Sequence, residues 1–179
     1  MPISYTVIIL ISVCCLWSFI CSKIKKEYIN IWRITNFILF VIWLLCVVYM
    51  TIFTRHTKIE EMNLIPFHSI IDVINGGNIE FLRVAWMNCL LFVPGSMWLQ
   101  YSFSYKNRKR YILFVLFFMV ISICIEFVQG YFELGVVEVD DVIHNTFGAV
   151  IGTTANLWSE KLIRLGKCII LKIKNLVTK

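Results

Sequence analysis

Residues 126–152 decide the fold, and they contain the runs Glu126-Phe127-Val128-Gln129, Asp140-Asp141-Val142-Ile143-His144-Asn145 and Gly148-Ala149-Val150-Ile151-Gly152. These runs place polar side chains beside strongly apolar sequence, and in a lipid bilayer a polar group is unfavourable unless a partner or a function keeps it there. Glu126 and Gln129 are three residues apart and therefore share one face of a helix. Helical spacing also relates four residues on a second face, which are Asp141, Asn145, Gly148 and Gly152. Because the two glycines form a small-xxx-small pair that admits a neighbouring helix, we expect this second face to point into a helix bundle.

The whole chain has the composition of an integral membrane protein. Of its 179 residues, 59% are hydrophobic and only 16% are charged, and the mean hydropathy is +0.80. These values exclude an ordinary soluble domain. The apolar segments predict about five transmembrane helices, the last of them marginal in length, at residues 3–21, 31–53, 86–103, 111–129 and 142–158. The predicted fold class is therefore all-α, a polytopic membrane helix bundle.

The basic residues are sorted between the two sides of the membrane. Lysines and arginines are concentrated after the first, third and fifth predicted spans, whereas the other two connections are mainly acidic. By the positive-inside rule, the N-terminus lies outside and the C-terminus lies in the cytoplasm. This sorting explains the formal net charge of +6, so no nucleic-acid partner is expected. Arg55 ends the second span, where it either anchors the helix at the outer interface or contacts an anion.

The topology predicts three regions. Residues 1–30 form an additional transmembrane helix, retained in the mature protein, and a basic cytoplasmic loop. Residues 31–158 form a four-helix core, whose extracytoplasmic loop 54–85 contains a turn and a short amphipathic helix ended by Gly76-Gly77. Residues 159–179 form a basic amphipathic tail that lies on the anionic inner leaflet.

Two backbone features are expected within the core. Pro94 lies inside the third span, so we expect a kink and a carbonyl that a neighbouring helix or water must satisfy. Asp140 and Asp141 open the fifth span, where carboxylates favour the positive end of the helix and can cap free amides. The seven cysteines show no paired spacing, so we expect no disulfide framework, no metal site and no cofactor.

Four fragments in this order are typical of one family: Asn63-Leu64-Ile65-Pro66-Phe67, Asn88-Cys89-Leu90-Leu91-Phe92-Val93-Pro94, Glu126-Phe127-Val128-Gln129 and Asp140-Asp141-Val142-Ile143-His144-Asn145-Thr146-Phe147-Gly148. With Gly152, they resemble the VanZ-like family of bacterial membrane proteins over roughly residues 45–158. The resemblance implies a place in the cytoplasmic membrane and a link to resistance against glycopeptide antibiotics, best known for teicoplanin, without modification of the peptide terminus of the peptidoglycan precursor. It implies no settled reaction. Three positions depart from the family pattern: Ser96 replaces a usual glycine, Gly135 stands near the place of a common arginine, and Glu138 replaces a common aspartate.

Topology and resemblance together predict one polar pocket at the outer leaflet. The expected ligand-binding residues are Asn63, Pro66, Phe67, Asn88, Glu126, Gln129, Asp140, Asp141 and Asn145. The leading hypothesis is an envelope protein, without an assigned reaction, that uses this pocket to bind or shield a ligand. The expected ligands are a lipid-linked cell-wall precursor, the complex of that precursor with a glycopeptide antibiotic, or a membrane lipid.

A first alternative is an intramembrane hydrolase or transferase that acts on a lipid headgroup. A carboxyl group in an apolar environment can act as general acid or base, so Glu126 is the main catalytic candidate, followed by Asp140, Asp141 and His144. No serine or cysteine forms a known nucleophile pattern with a histidine. Asp140 and His144 share a face but supply two metal ligands at most.

A second alternative is purely structural. Glu126, Gln129, Asp141 and Asn145 would then form a hydrogen-bonded cluster that holds the third, fourth and fifth helices together. Neither the ligand nor the oligomeric state follows from the residues, and a homo-oligomer stays open.

Overall fold

The computed structural model describes residues 3–53, 62–103 and 108–177, and the chain forms two compact units. The first unit is Met1–Asn30 with Thr154–Lys179, and the second is Ile31–Thr153. The structure is almost entirely helical. In chain order, the elements are α1 (Ile3–Lys23), a 3-10 turn (Lys26–Tyr28), α2 (Ile29–Val48), a π-helical turn (Tyr49–Phe53), β1 (Met62–Asn63), α3 (His68–Ile74), α4 (Glu80–Ser102), α5 (Arg108–Tyr131), β2 (Val137–Glu138), α6 (Val139–Thr153) and α7 (Ala155–Val177).

Three helical stretches among the described residues are long and apolar enough to cross a membrane. They are Lys26–Phe53, Glu80–Ser102 and Arg110–Tyr131. This confirms the helical, membrane-type fold, while the five-span count and the orientation of the termini stay predictions. The predicted span 142–158 does not form one continuous helix, because Thr154 interrupts it between α6 and α7.

Aromatic packing forms the core of the second unit. The side chain of Trp43, on α2, meets Phe92 of α4 edge-on, with the ring centroids 5.5 Å apart, and Phe118 of α5 at 5.6 Å. All three side chains are buried. The hydrophobic cluster around them comprises Phe40, Trp43, Val47, Phe92, Leu99, Phe118, Ile125 and Ala149. Edge-to-face contacts of this kind add to the burial of apolar area, so these rings hold α2, α4 and α5 together.

Trp43 also covers the proline turn of α4. Its indole N–H donates to the carbonyl of Leu91, at 2.8 Å between Nε1 and O. A Cβ atom added to Gly95 would collide with the Trp43 ring, so only glycine admits the indole at this position. A neighbouring helix therefore supplies a hydrogen-bond donor in the turn that precedes Pro94. The carbonyl that Pro94 itself leaves without a helical partner is that of Leu90, and how it is satisfied stays a prediction.

Helices α4 and α6 pack at backbone distance. A Cβ atom at Gly148 would collide with the carbonyl of Cys89, and one at Gly152 would collide with the carbonyl of Val93 and the hydroxyl of Ser96. This confirms the predicted role of the glycine pair. Ser96 donates to the carbonyls of its own helix, so the hydroxyl that replaces the usual family glycine is satisfied internally.

The loop before α4 is attached to the connection between α5 and α6. Strands β1 and β2 pair in parallel, with Met62 opposite Val137 and Asn63 opposite Glu138. The short amphipathic helix predicted in this loop is α3, and the chain leaves it through Gly76, whose φ of +87° favours glycine. Residues 54–61, including Arg55, lie outside the described residues.

The first unit is built from α1 and α7. Ser159 of α7 donates its hydroxyl to that of Ser18 on α1, at 2.6 Å, and both side chains are buried. Small residues therefore allow the two helices to approach closely. Beyond this contact, α7 exposes apolar residues beside basic ones, namely Leu162, Leu165 and Ile169 beside Lys161 and Arg164. The predicted position of the tail on the inner leaflet stays a prediction.

Candidate functional site

Polar side chains from α4, α5 and α6 gather where α5 turns back into α6. We call this group the polar cluster, and it comprises Asn88, Ser122, Glu126, Gln129, Asp140, Asp141 and Asn145. Five of these side chains are buried, including the two acidic residues Glu126, which is 6% exposed, and Asp140, which is 3% exposed. Because burying a carboxylate is unfavourable without hydrogen-bond donors, the partners of each side chain define what the cluster can do.

Asp140 caps a helix other than its own. Its carboxylate accepts hydrogen bonds from the amide of Phe67, from the amide of Ser69 at 2.9 Å and from the hydroxyl of Ser69 at 2.6 Å. These amides belong to the first turn of α3, where the local sequence has no side-chain cap. Asp140 thus attaches the loop before α4 to the start of α6.

The hydrogen bonds to Asp140 also decide its protonation. Burial by itself would raise the pKa of the Asp140 carboxyl. The bonds from the Ser69 hydroxyl, the Ser69 amide and the Phe67 amide outweigh burial, so the pKa lies below its ordinary value. Asp140 is therefore ionised at neutral pH, with donors around both oxygens.

Phe67, Pro66 and Asn63 form the rim beside this cap. Phe67 has a left-handed backbone with φ of 62°, an uncommon conformation for a large side chain, and its amide is the one held by Asp140. Its ring and Pro66 are exposed. The Asn63 side-chain oxygen accepts from the amide of Ile65 at 3.3 Å, so it stabilises the turn.

Two hydrogen bonds join α6 to its neighbours. The Asn88 side-chain amide on α4 donates to the Asp141 carboxylate. The Asn145 side-chain amide donates to the hydroxyl of Ser122 on α5, at 2.8 Å. Each of these pairs links residues that are far apart in the chain, so they fix the register of α6 against both helices.

Glu126 and Gln129 face different partners from the same side of α5. The Glu126 carboxylate accepts from the amide of Glu138, at 3.1 Å, in the strand that returns to α6. The Gln129 side-chain amide donates to the carbonyl of Thr51, at 2.9 Å, in the π-helical turn that ends α2. π-Helical turns occur frequently at functional sites, and this one brings α2 into the polar cluster.

Two side-chain oxygens of the cluster lack a donor. Within the described part of the chain, neither Gln129 Oε1 nor Asn145 Oδ1 has a hydrogen-bond partner, although Gln129 is 1% exposed and Asn145 is 6% exposed. His144 Nδ1 is buried without a partner among the same residues. Buried polar atoms of this kind are uncommon and call for an explanation, such as water or a ligand.

The structure thus brings together six predicted residues: Asn88, Glu126, Gln129, Asp140, Asp141 and Asn145. The other three, Asn63, Pro66 and Phe67, lie on the adjoining loop. No group of three His, Cys, Asp or Glu side chains in the described residues has metal-binding geometry.

Sequence reasoning missed Thr51, Ser69 and Ser122. A signal existed for Ser122, which precedes Glu126 by four residues and therefore shares its helical face.

A comparison with protein-family models finds a match over residues 40–159, described as VanZ/LLP1. The chain belongs to the VanZ/LLP1 family. The matched region of this VanZ/LLP1 protein contains all four fragments on which the resemblance was based, and it begins within α2. Comparisons with curated proteins and with solved structures gave no match.

Proposed function

We propose that this VanZ/LLP1 protein acts in the bacterial cytoplasmic membrane and lowers susceptibility to glycopeptide antibiotics such as teicoplanin. In this proposal, the polar cluster lies at the outer leaflet. There it binds or shields a lipid-linked cell-wall precursor, the complex of that precursor with a glycopeptide, or a membrane lipid. The cluster acts by recognition and not by a chemical step.

One observation supports the proposal above the others: hydrogen bonds connect all four family-like fragments at the cluster, the first of them through the backbone amide of Phe67. Asp140 contacts the Phe67 amide, 73 residues away, and Asp141 contacts Asn88, 53 residues away. Glu126 joins the third fragment to the strand that leads into the fourth. A bundle that only anchored itself in lipid would not need buried carboxylates at this point.

The surface beside the cluster suits a lipid-linked ligand. The loop and α3 expose apolar side chains next to the residues that Asp140 holds, namely Leu64, Ile65, Phe67, Ile70, Ile71 and Ile74. An apolar chain could lie against these residues while its polar head meets the cluster, which is the usual division of a ligand site into apolar lining and few polar groups.

The orientation can be tested by labelling single cysteines in a background without native cysteines. On the proposed topology, a membrane-impermeant maleimide labels a Glu133→Cys variant in intact cells. It labels a Lys109→Cys variant only after the membrane is permeabilised. Labelling of Lys109→Cys alone in intact cells would invert the topology and place the cluster at the cytoplasmic side.

The function is tested by teicoplanin susceptibility at matched protein levels. A deletion strain and a Glu126→Ala strain should be about equally sensitive, and both more sensitive than wild type. Glu80→Ala is the matched control, because Glu80 is exposed and, among the described residues, its carboxylate pairs with Arg83 on the same helix, at 3.2 Å. Unchanged susceptibility in the deletion strain would contradict the proposal.

A structural role is favoured by the number of satisfied groups in the cluster. Asp140 alone accepts three hydrogen bonds, and each of the other contacts joins two elements. If this role is the whole function, Glu126→Ala lowers the amount of protein in the membrane, and susceptibility follows that amount. Quantitative immunoblots beside the susceptibility measurement separate the two proposals.

The catalytic alternative has its own variant. Glu126→Gln keeps an oxygen to accept the Glu138 amide but cannot transfer a proton. Turnover of undecaprenyl-linked or phospholipid substrates by purified wild type, lost in Glu126→Gln, would establish catalysis. If wild type and Glu126→Gln protect cells equally against teicoplanin, the result supports ligand recognition over catalysis.

A further inference from the structure

The two unpaired oxygens of the polar cluster indicate what kind of group it receives. Gln129 Oε1 and Asn145 Oδ1 are acceptors, both are buried, and neither has a donor within the described residues. An acceptor that has lost water and gained no partner destabilises the fold, so a donor from outside the chain is expected there.

The orientation of Gln129 follows from its other contact. The Thr51 carbonyl can only accept a hydrogen bond, so the side-chain nitrogen of Gln129 must face it and the oxygen must face away. The nitrogen of Asn145 is likewise engaged with Ser122. Both side chains therefore use their donors within the protein, and both unpaired atoms are acceptors.

Two acidic residues lie on the same helices as these oxygens. Glu126 lies on α5 between Ser122 and Gln129, and Asp141 lies on α6 one turn before Asn145. A phosphate would bring further negative charge and more acceptors to this place. An ammonium group brings positive charge and N–H donors.

We infer that the polar cluster receives a protonated primary amine of its ligand, and not a phosphate. This inference rests on the proposed ligand-binding function and names the part of the ligand that is recognised. The amine could come from a lipid headgroup or from the peptide portion of a wall precursor, and the two sources share the same chemistry.

The test compares each amine with its acetylated form, which has no charge and fewer donors. Full-length protein is purified in detergent, and binding is measured by native mass spectrometry for phosphatidylethanolamine and N-acetyl-phosphatidylethanolamine. A soluble lysine-containing peptide and its Nε-acetyl form are the second pair. We expect at least one amine to bind about tenfold more tightly than its acetylated form, and the pair that shows the preference identifies the source.

Two variants of one residue connect the preference to the cluster. Asn145→Asp keeps an acceptor, adds a charge and can accept a bond from the Ser122 hydroxyl, so the preference for the amine should increase. Asn145→Leu has similar volume but no acceptor, so the preference should disappear. Asn36→Leu is the control, because Asn36 is a buried amide on α2 that donates to Trp32 in its own helix.

The amine inference is overturned if both amines bind no better than their acetylated forms, or if Asn145→Leu keeps the wild-type preference. The ratio of two affinities on one variant is insensitive to a general loss of folded protein. If the amines are preferred but deletion leaves teicoplanin susceptibility unchanged, the proposed function is contradicted and the amine site stands. If the amine and acetylated forms bind equally but the deletion strain is more sensitive to teicoplanin, the amine inference is contradicted and the proposed function stands.

Discussion

Replacing Asp140 by alanine should release α3 from the start of α6. The carboxylate accepts three hydrogen bonds from Phe67 and Ser69, and Ser69 is buried while Phe67 is half exposed. In Asp140→Ala, water can reach the Phe67 amide. The two donors of Ser69 stay buried and unpaired unless α3 detaches. Local opening of α3 therefore requires less free energy than in the wild type.

The size of the effect follows from these two donors. A hydrogen bond to a charged group contributes about 1.5–3 kcal/mol, and bonds that share one carboxylate are not additive. We therefore expect the free energy of opening α3 to fall by about 3 kcal/mol, which increases hydrogen exchange of its amides roughly a hundredfold. Asp140→Asn keeps one acceptor oxygen, so its exchange should increase by roughly tenfold.

The assay is hydrogen–deuterium exchange of the purified full-length protein in detergent, followed for peptides that cover residues 67–75. Asp72→Asn is the matched control on the same helix. Its side chain is 40% exposed and lies 3.8 Å from His68, so its loss should change stability by less than about 0.5 kcal/mol. Unchanged exchange of α3 in Asp140→Ala would refute the capping role.

The same helix should respond to pH in one direction. The folded-state pKa of Asp140 lies below its ordinary value of 3.8, so the stabilisation is complete above that value. It is lost only as the pH falls through the lower folded-state pKa. Exchange of α3, corrected for the intrinsic rate, should therefore stay constant from neutral pH to about pH 5 and increase below about pH 4. If exchange of α3 already increased between pH 7 and 5, the folded-state pKa of Asp140 would be raised by burial and not lowered by its hydrogen bonds.

Three further variants test the packing of the two units. Gly148→Ala forces a methyl group against the backbone of Cys89 and should destabilise the protein by about 1–3 kcal/mol, measured as a lower melting temperature in detergent. Gly166→Ala is its control, because a Cβ atom there meets no atom of the described residues within 4 Å. This variant should stabilise α7 by about 0.5–1 kcal/mol. Trp43→Phe keeps a ring over Gly95 but removes the donor to the Leu91 carbonyl, and should cost about 1–3 kcal/mol; a melting temperature equal to wild type would contradict it.

Local patterns in the sequence predicted much of the architecture. Hydropathy and length predicted an all-helical membrane fold, and glycine spacing predicted the close approach at Gly148 and Gly152. The short helix predicted before Gly76 is also present, as α3. The prediction of one continuous helix over residues 142–158 was wrong, because α6 ends at Thr153 and α7 begins at Ala155. Hydropathy averages over many residues and does not detect a single interruption at Thr154.

The candidate site was predicted by residue type but not by partner. Asp140 was expected at the start of a helix as a capping group, and it does cap one, but the helix is α3, more than sixty residues earlier in the chain. Thr51 contributes through its backbone carbonyl, and any residue type could supply that group. Ser69 stood in an amphipathic helix with no sign that its hydroxyl would meet Asp140.

The sequence by itself determined that the chain is a helical membrane protein of one family, because hydropathy, helical period and motif order are properties of neighbouring residues. Only the tertiary structure decided which polar groups of residues 126–152 are already satisfied and which are not. Asp140 is fully engaged by α3, whereas Gln129 and Asn145 each retain an oxygen without a donor in the described residues. That difference depends on hydrogen bonds between distant segments, and such pairing leaves no trace in the local pattern.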